Sequence, residues 1–134
     1  MLSRETVVQA GVGIVAITAF LYVPNLLEVP YDSLVGVLSV ILFDATIIGG
    51  GHLYLALRGE DAGFPVRARW RTVALVTTLV AVAFTAQVLY RVTTFPHDPI
   101  TYVAAATGLV SVAVYWYLEA RDGYRDSKSG QGTI

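Results

Sequence analysis

The segment from Leu34 to Leu57, LVGVLSVILFDATIIGGGHLYLAL, places the strongest constraint on what this chain can fold into. It is long enough to cross the hydrocarbon core of a bilayer as a helix, which takes roughly 20 apolar residues. Its one carboxylate, Asp44, is the eleventh residue of the segment, and a charge at that depth in hydrocarbon is costly. The fold must therefore surround this segment with lipid or protein and must also account for Asp44.

Three further apolar segments of similar length accompany it, and the chain is 55% hydrophobic and only 14% charged. Soluble domains average about 25% charged residues, so this chain is too apolar to cover a surface that faces water. We predict an all-α integral membrane protein, in which residues 1–119 form a four-helix antiparallel bundle. The predicted spans are about residues 6–23, 34–57, 72–90 and 100–118, and residues 120–134 are predicted to be a polar, disordered tail.

The distribution of basic residues predicts the orientation of the bundle. Eight of the nine Lys and Arg residues lie in the N-terminus, the second connection or the tail, whereas Arg91 lies in a connection on the other side. The positive-inside rule therefore predicts that both termini face the cytoplasm or an equivalent interior. The first segment is expected to be retained rather than cleaved as a signal peptide, because its apolar region is long and no small-residue cleavage pattern follows it.

The second connection contains a Trp among several Arg side chains: Arg67, Arg69, Trp70 and Arg71. Trp and basic residues are typical of the interface between hydrocarbon and water, so these four residues are predicted to contact lipid headgroups. Ordinary anchoring and docking to anionic headgroups both remain open for this cluster.

Several polar residues inside the spans are predicted to form one intramembrane network. A helical rise of 1.5 Å per residue places Asp44 roughly 15 Å below the outer end of its span, near the depth of Ser111 and Thr78. Asp44 is therefore predicted to face the bundle interior, with these hydroxyls in reach. Hydrogen-bonded glue between helices, a proton or ion path, and a docking site for another membrane protein all remain open. The predicted members are Asp44, His52, Ser111, Thr78, Gln9 and Glu119.

Small residues within the spans predict close helix packing. Gly49, Gly50 and Gly51 are consecutive, but they are not a phosphate-binding loop, because no Lys-Ser/Thr follows them. Ala45 with Gly49, and Ala104 with Gly108, are pairs of small residues four positions apart, a spacing that lets membrane helices approach closely. A flexible kink at the three glycines is the alternative interpretation.

No motif indicates an enzyme, a cofactor or a metal site. The sequence has no paired catalytic carboxylates and no HExxH motif. It has no cysteine, and His52 and His97 are predicted on opposite sides of the membrane, where they cannot bind one metal ion. The only lysine, Lys128, lies in the tail, which excludes a retinal Schiff base in the spans. A net charge of −1 gives no indication of nucleic-acid binding.

The chain resembles the small four-span membrane proteins of haloarchaea, among them the internal membrane protein of pleomorphic haloarchaeal viruses. The resemblance lies in its size, its four spans and its Arg-rich, Lys-poor, Val- and Ala-rich composition, and the stretches RETVVQAGVGI and GGGHLYLALRGED are the ones to compare first. It implies a structural role in a lipid envelope, with the basic connection and the tail facing the contents.

Short connections without a sizeable soluble domain favour a non-catalytic structural or accessory protein of a membrane or viral envelope. Such a protein packs with itself, as a homo-oligomer, or with a larger membrane partner. The alternative is a small transporter or a proton or ion channel, built as an oligomer around Asp44.

Overall fold

Four long helices make up almost all of the computed structural model, which describes residues 1–61 and 63–131. The helices are α1 (Arg4–Leu26), α2 (Leu34–Leu57), α3 (Val66–Val92) and α4 (His97–Gln131). Each is long and apolar enough to span a membrane. The predicted all-α class with four long apolar helices is therefore confirmed.

Serine side chains fix the starts of the first two helices. Ser3 Oγ accepts a hydrogen bond from the backbone N–H of Thr6, at 3.1 Å, and Ser33 Oγ accepts one from Gly36, at 3.0 Å. Each bond satisfies one of the N–H groups that a helix leaves free in its first turn. The polar residues at these two positions thus determine where α1 and α2 begin.

Two helices extend further at their polar ends than the predicted spans. α3 begins at Val66, before the predicted start at residue 72, so the basic part of the second connection is helical. α4 continues to Gln131, whereas the sequence predicted a disordered tail from residue 120. The ion pairs that Asp122 makes with Arg67 and Arg71 hold this extension against α3. Residues 132–134 of the predicted tail lie outside the described residues.

The helices are antiparallel neighbours in chain order. At one end, Tyr90 Oη and Thr101 Oγ1 are 2.6 Å apart, and Arg91 donates a 2.8 Å hydrogen bond to the carbonyl of Asp32. At the opposite end, Arg4 pairs with Glu60, and Arg71 reaches α4. The N-terminal ends of α1 and α3 therefore lie at the same end of the bundle as the C-terminal end of α2 and the C-terminal half of α4.

The bundle is open on one side. Among the described residues, α1 packs on α2, α2 on α3 and α3 on α4, while α1 and α4 do not meet and neither do α2 and α4. Few apolar side chains are buried, and most of these are small: Val8, Ala16, Leu55, Ala56, Ala68 and Ala86. Other apolar side chains are half-buried between neighbouring helices, and many large ones are exposed on the outer surface.

The three consecutive glycines of α2 face both neighbouring helices. A Cβ at Gly49 would lie 3.3 Å from Val76 of α3, and one at Gly50 would lie 2.8 Å from Val12 of α1. A Cβ at Gly51 would overlap the side chain of Gln9. Larger residues at these positions would push α2 away from α1 and α3.

The other small residues predicted to pack are less closely approached. A Cβ at Gly108 would lie 3.6 Å from Leu79, an ordinary contact between α4 and α3. Ala45 and Ala104 are each half-buried.

Candidate functional site

Arg69 is the most deeply buried charged side chain of the described residues, with a relative exposure of 0%. Its position on α3 places it on the same face as Val73 and Val76, which is the face turned to α2. Nη1 lies 3.2 Å from Nδ1 of His52, and Nη2 donates a 2.7 Å hydrogen bond to the carbonyl of Asp61. The guanidinium therefore joins α3 to the end of α2 and to the connection that follows it.

Two further groups surround the Arg69 guanidinium. Glu5 of α1 lies 3.5 Å from Nη2, and the ring of Phe64 lies 5.4 Å from the guanidinium carbon. Nε is buried and has no hydrogen-bond partner among the described residues. Arg69 thus connects α1, α2, α3 and the second connection at one point.

The contact with Arg69 determines the hydrogen-bonding role of His52. A guanidinium only donates hydrogen bonds, so Nδ1 of His52 is the acceptor and the ring proton is on Nε2. A second proton on Nδ1 would break this bond and would bring two cations within 3.2 Å of each other. His52 is therefore held as a neutral acceptor.

The four residues predicted to contact lipid headgroups differ in their surroundings. Arg69 does not fit that prediction, because its side chain is completely buried against α1 and α2. Arg71 is half-buried and pairs with Asp122 and, at 3.4 Å, with Glu119. Arg67 pairs with Asp122 at 3.0 Å but remains 72% exposed, and Trp70 is 43% exposed. Of these four residues, only Arg67 and Trp70 are exposed.

A third ion-pair cluster lies where α2 ends. The Glu60 carboxylate lies between Arg4, at 3.0 Å, and Arg58, at 2.7 Å. The hydrogen bonds from these two guanidinium groups lower the pKa of Glu60 to about 2. This cluster ties the start of α1 to the end of α2.

The Glu60 cluster gives a testable dependence on pH. Because the pKa of Glu60 is lower in the folded protein than its ordinary value of 4.5, its contribution to stability is complete above that pH and disappears as the pH falls toward 2. The difference in melting temperature between the wild type and Glu60→Gln is therefore expected to shrink over this range. Thermal unfolding of both proteins in detergent at a series of pH values measures it. A difference independent of pH would contradict the assignment.

Asp44 is exposed, and its side chain makes no hydrogen bond or ion pair with any described residue. It lies on one face of α2 with Ile48, which is 59% exposed, and His52. The described residues therefore provide no hydrogen-bond donor and no opposite charge for this carboxyl group. A carboxyl group in the middle of this apolar helix has no partner among the described residues.

The residues predicted to form one polar network lie at separate positions in the structure and do not bind one another. Thr78 and Ser111 donate hydrogen bonds to the carbonyls of Ala74 and Thr107 in their own helices, at 2.9 and 2.8 Å. Asp44 binds neither of them: among the described residues Ser111 lies on α4, which α2 does not contact, and Thr78 of α3 lines the groove toward α4.

The remaining members of the predicted network bind elsewhere. Gln9 of α1 donates to the carbonyl of Ile47 in α2, and His52 contacts Arg69. Glu119 pairs with Arg71. The structure therefore brings predicted residues together in pairs with new partners and does not connect them in one chain.

Two residues that the sequence did not single out organise the polar end of the bundle. Asp122 is buried to 8% exposure and binds Arg67, Arg71 and Arg121. Glu5 approaches Arg69. Extending the pattern of α3 by two turns toward its N-terminus would have placed Arg69 on the face of Val73 and Val76. No comparable pattern marks Asp122.

No family model matches the chain, and no curated protein or solved structure is significantly similar to it.

Proposed function

We propose that this chain is a non-catalytic structural or accessory subunit of a membrane assembly, which it completes by packing with copies of itself or with a larger membrane partner. The observation that carries the proposal is the exposed, unpartnered Asp44 in the middle of an apolar helix. A carboxylate that faces lipid at this depth costs at least about 2.5 kcal/mol, and another subunit that supplies a partner removes this cost.

The open arrangement of the helices supports the same proposal. α1 and α4 stand at opposite edges of the row, and each leaves a long side without a neighbour from the described chain. Exposed apolar side chains cover these edges, including Ile14 and Val15 on α1 and Leu109 and Val110 on α4. The connections are short and carry no folded domain, so the surface available for a partner lies within the spans.

In the proposed orientation, the end that carries Arg4, Glu60 and Arg71 faces the cytoplasm or the interior of a virion. The positive-inside rule supports this orientation, because eight of the nine basic residues belong to that end. A cell membrane and, as the resemblance implies, a viral envelope both provide the lipid that the four apolar helices require.

The second candidate, a proton or ion path, has less support. Ile48 separates Asp44 from His52 on their shared face, and His52 is held against the permanently charged Arg69. A fixed guanidinium opposes the arrival of a proton or metal cation at His52. Among the described residues, no continuous row of polar side chains connects Asp44 to either end of the bundle.

The test is the composition of the complex extracted from native membranes together with its lipid. We expect the chain to copurify at a fixed ratio, either with further copies of itself or with one other membrane protein, and native mass spectrometry gives the ratio. A lone monomer under conditions that retain lipid would contradict the proposal.

A further inference from the structure

We propose that the partner of Asp44 is a second copy of this chain, whose groove between α3 and α4 receives the Asp44 face of α2. This inference rests on the proposed function and specifies the partner. Each chain then carries both contact surfaces, the Asp44 face and the groove. Its Asp44 face binds one neighbour and its groove binds another, so copies join head to tail.

The groove between α3 and α4 has the size and lining for such a contact. It has a volume of about 660 Å³ and lies toward the end of the bundle that holds Leu89 and Pro99. Its walls are mostly apolar, and the polar groups along them are threonine hydroxyls. The threonines that line it are Thr77, Thr78, Thr85 and Thr107.

The helix register places these hydroxyls close to the depth of Asp44. Gly49 lies against Val76, and Gly108 lies against Leu79, which fixes α2, α3 and α4 relative to one another. Asp44 is five residues further out than Gly49 and is therefore nearly level with Ala81 on α3. Thr107 lies at almost the same level, and Thr78 and Thr85 lie within about one turn of it on either side.

Two copies with the same orientation in one membrane place equal residues at equal depths. The depth of Asp44 in one copy is therefore the depth of Thr107 in the next. An unrelated membrane protein is under no such constraint, which favours a second copy as the occupant. The chain does not make this contact within itself: Asp44 forms no hydrogen bond with any described residue, and α2 does not contact α4.

The hydrogen-bonding capacity of the groove matches a carboxylic acid. Thr78, Thr85 and Thr107 each donate their hydroxyl hydrogen to a carbonyl of their own helix, at 2.9, 2.7 and 2.8 Å. Their oxygen atoms keep the capacity to accept a hydrogen bond. A carboxylic acid has one O–H that it can donate to such an oxygen.

Disulfide cross-linking in the full-length protein tests the contact directly, since the chain has no cysteine of its own. The register puts Ile48, one turn from Asp44, level with Thr77 in the groove. Membranes that contain a mixture of Ile48→Cys and Thr77→Cys chains are oxidised, and every disulfide formed joins two copies. We expect a disulfide that links an Ile48→Cys chain to a Thr77→Cys chain.

The control is Leu42→Cys, whose side chain is 57% exposed on the opposite side of α2 and is expected to form no disulfide with the Thr77→Cys chain. Introducing Asp44→Leu into the Ile48→Cys chain is expected to lower the yield of the disulfide about three- to tenfold, as the loss of one hydrogen bond between membrane helices does. Asp44→Asn, which retains a donor and an acceptor, is expected to preserve it.

The other results separate this inference from the proposed function. A disulfide joining two Ile48→Cys chains would overturn the inference in favour of a symmetric contact between two α2 helices. A fixed complex with a different protein and no disulfide would overturn the inference and leave the proposed function standing. A lone monomer would overturn both.

Discussion

Replacing Arg69 with alanine is expected to lower the free energy of unfolding by about 3 kcal/mol, the typical cost of removing one partner from a buried ionic contact. The substitution leaves Nδ1 of His52 and the carbonyl of Asp61 without their donor and removes the opposite charge near Glu5. It also opens a cavity at a side chain that has no exposure. Reversible unfolding of the detergent-solubilised protein with increasing denaturant gives the change.

Arg67→Ala is the matched control for Arg69→Ala. Arg67 lies two residues away in the same helix, and its side chain is 72% exposed and pairs with Asp122, which retains Arg71. We expect its loss to cost only a small fraction of the effect at Arg69, because exposed ion pairs contribute little. Equal destabilisation by the two substitutions would contradict the assignment of Arg69 as the point where three helices are joined.

Gly36→Ala is expected to destabilise the protein by about 1–3 kcal/mol, as overpacking does when the neighbouring atoms cannot move away. A methyl group at Gly36 would overlap the backbone of Pro30 and Tyr31, which form the turn before α2. The turn would have to move, and the start of α2 would move with it. The melting temperature in detergent measures the effect.

Gly13→Ala provides the comparison, because a methyl group at Gly13 of α1 would meet nothing within 4 Å. Alanine also favours a helix over glycine, so this substitution is expected to be neutral or slightly stabilising. If Gly36→Ala were as harmless as Gly13→Ala, the close approach of the turn to α2 would not contribute to stability.

The number and approximate position of the helices could be predicted from the sequence, because four apolar segments of membrane length leave few alternatives. The polar ends of the helices could not be predicted in this way. Hydropathy detects only the part of a helix that suits hydrocarbon, whereas α3 and α4 continue as helices where Arg71 and Asp122 bind each other. This is why the sequence predicted disorder for residues 120–131, which are helical.

The partners of the polar residues were harder to predict than their depth. Depth follows from counting residues along a helix, but a contact also requires that two helices be neighbours and that both side chains point to the same interface. The expectation that Asp44 meets Thr78 and Ser111 assumed a closed bundle. In the open arrangement the described part of α2 has no contact with α4, which carries Ser111, and Thr78 of α3 lines the groove toward α4.

Arg69 is a residue that is buried where the sequence predicts a surface position. A basic residue beside Trp70 at the end of a span is typically an interfacial anchor, and this is what the sequence predicts for Arg69. The face of α3 on which the Arg69 side chain lies can be assigned only if α3 is known to include it. Because the helix starts at Val66, Arg69 falls on the face that packs against α2, while Arg67 and Trp70 point outward.

The central claim is that another subunit in the membrane completes this chain at Asp44, and the mass of the lipid-retaining complex tests it most directly. Native mass spectrometry of the wild type, Asp44→Asn and Asp44→Leu, prepared identically, compares the three. The account predicts a multi-subunit complex for the wild type and Asp44→Asn, and predominantly single chains for Asp44→Leu. A monomeric wild type, or a complex whose mass and abundance are the same in Asp44→Leu, would contradict it.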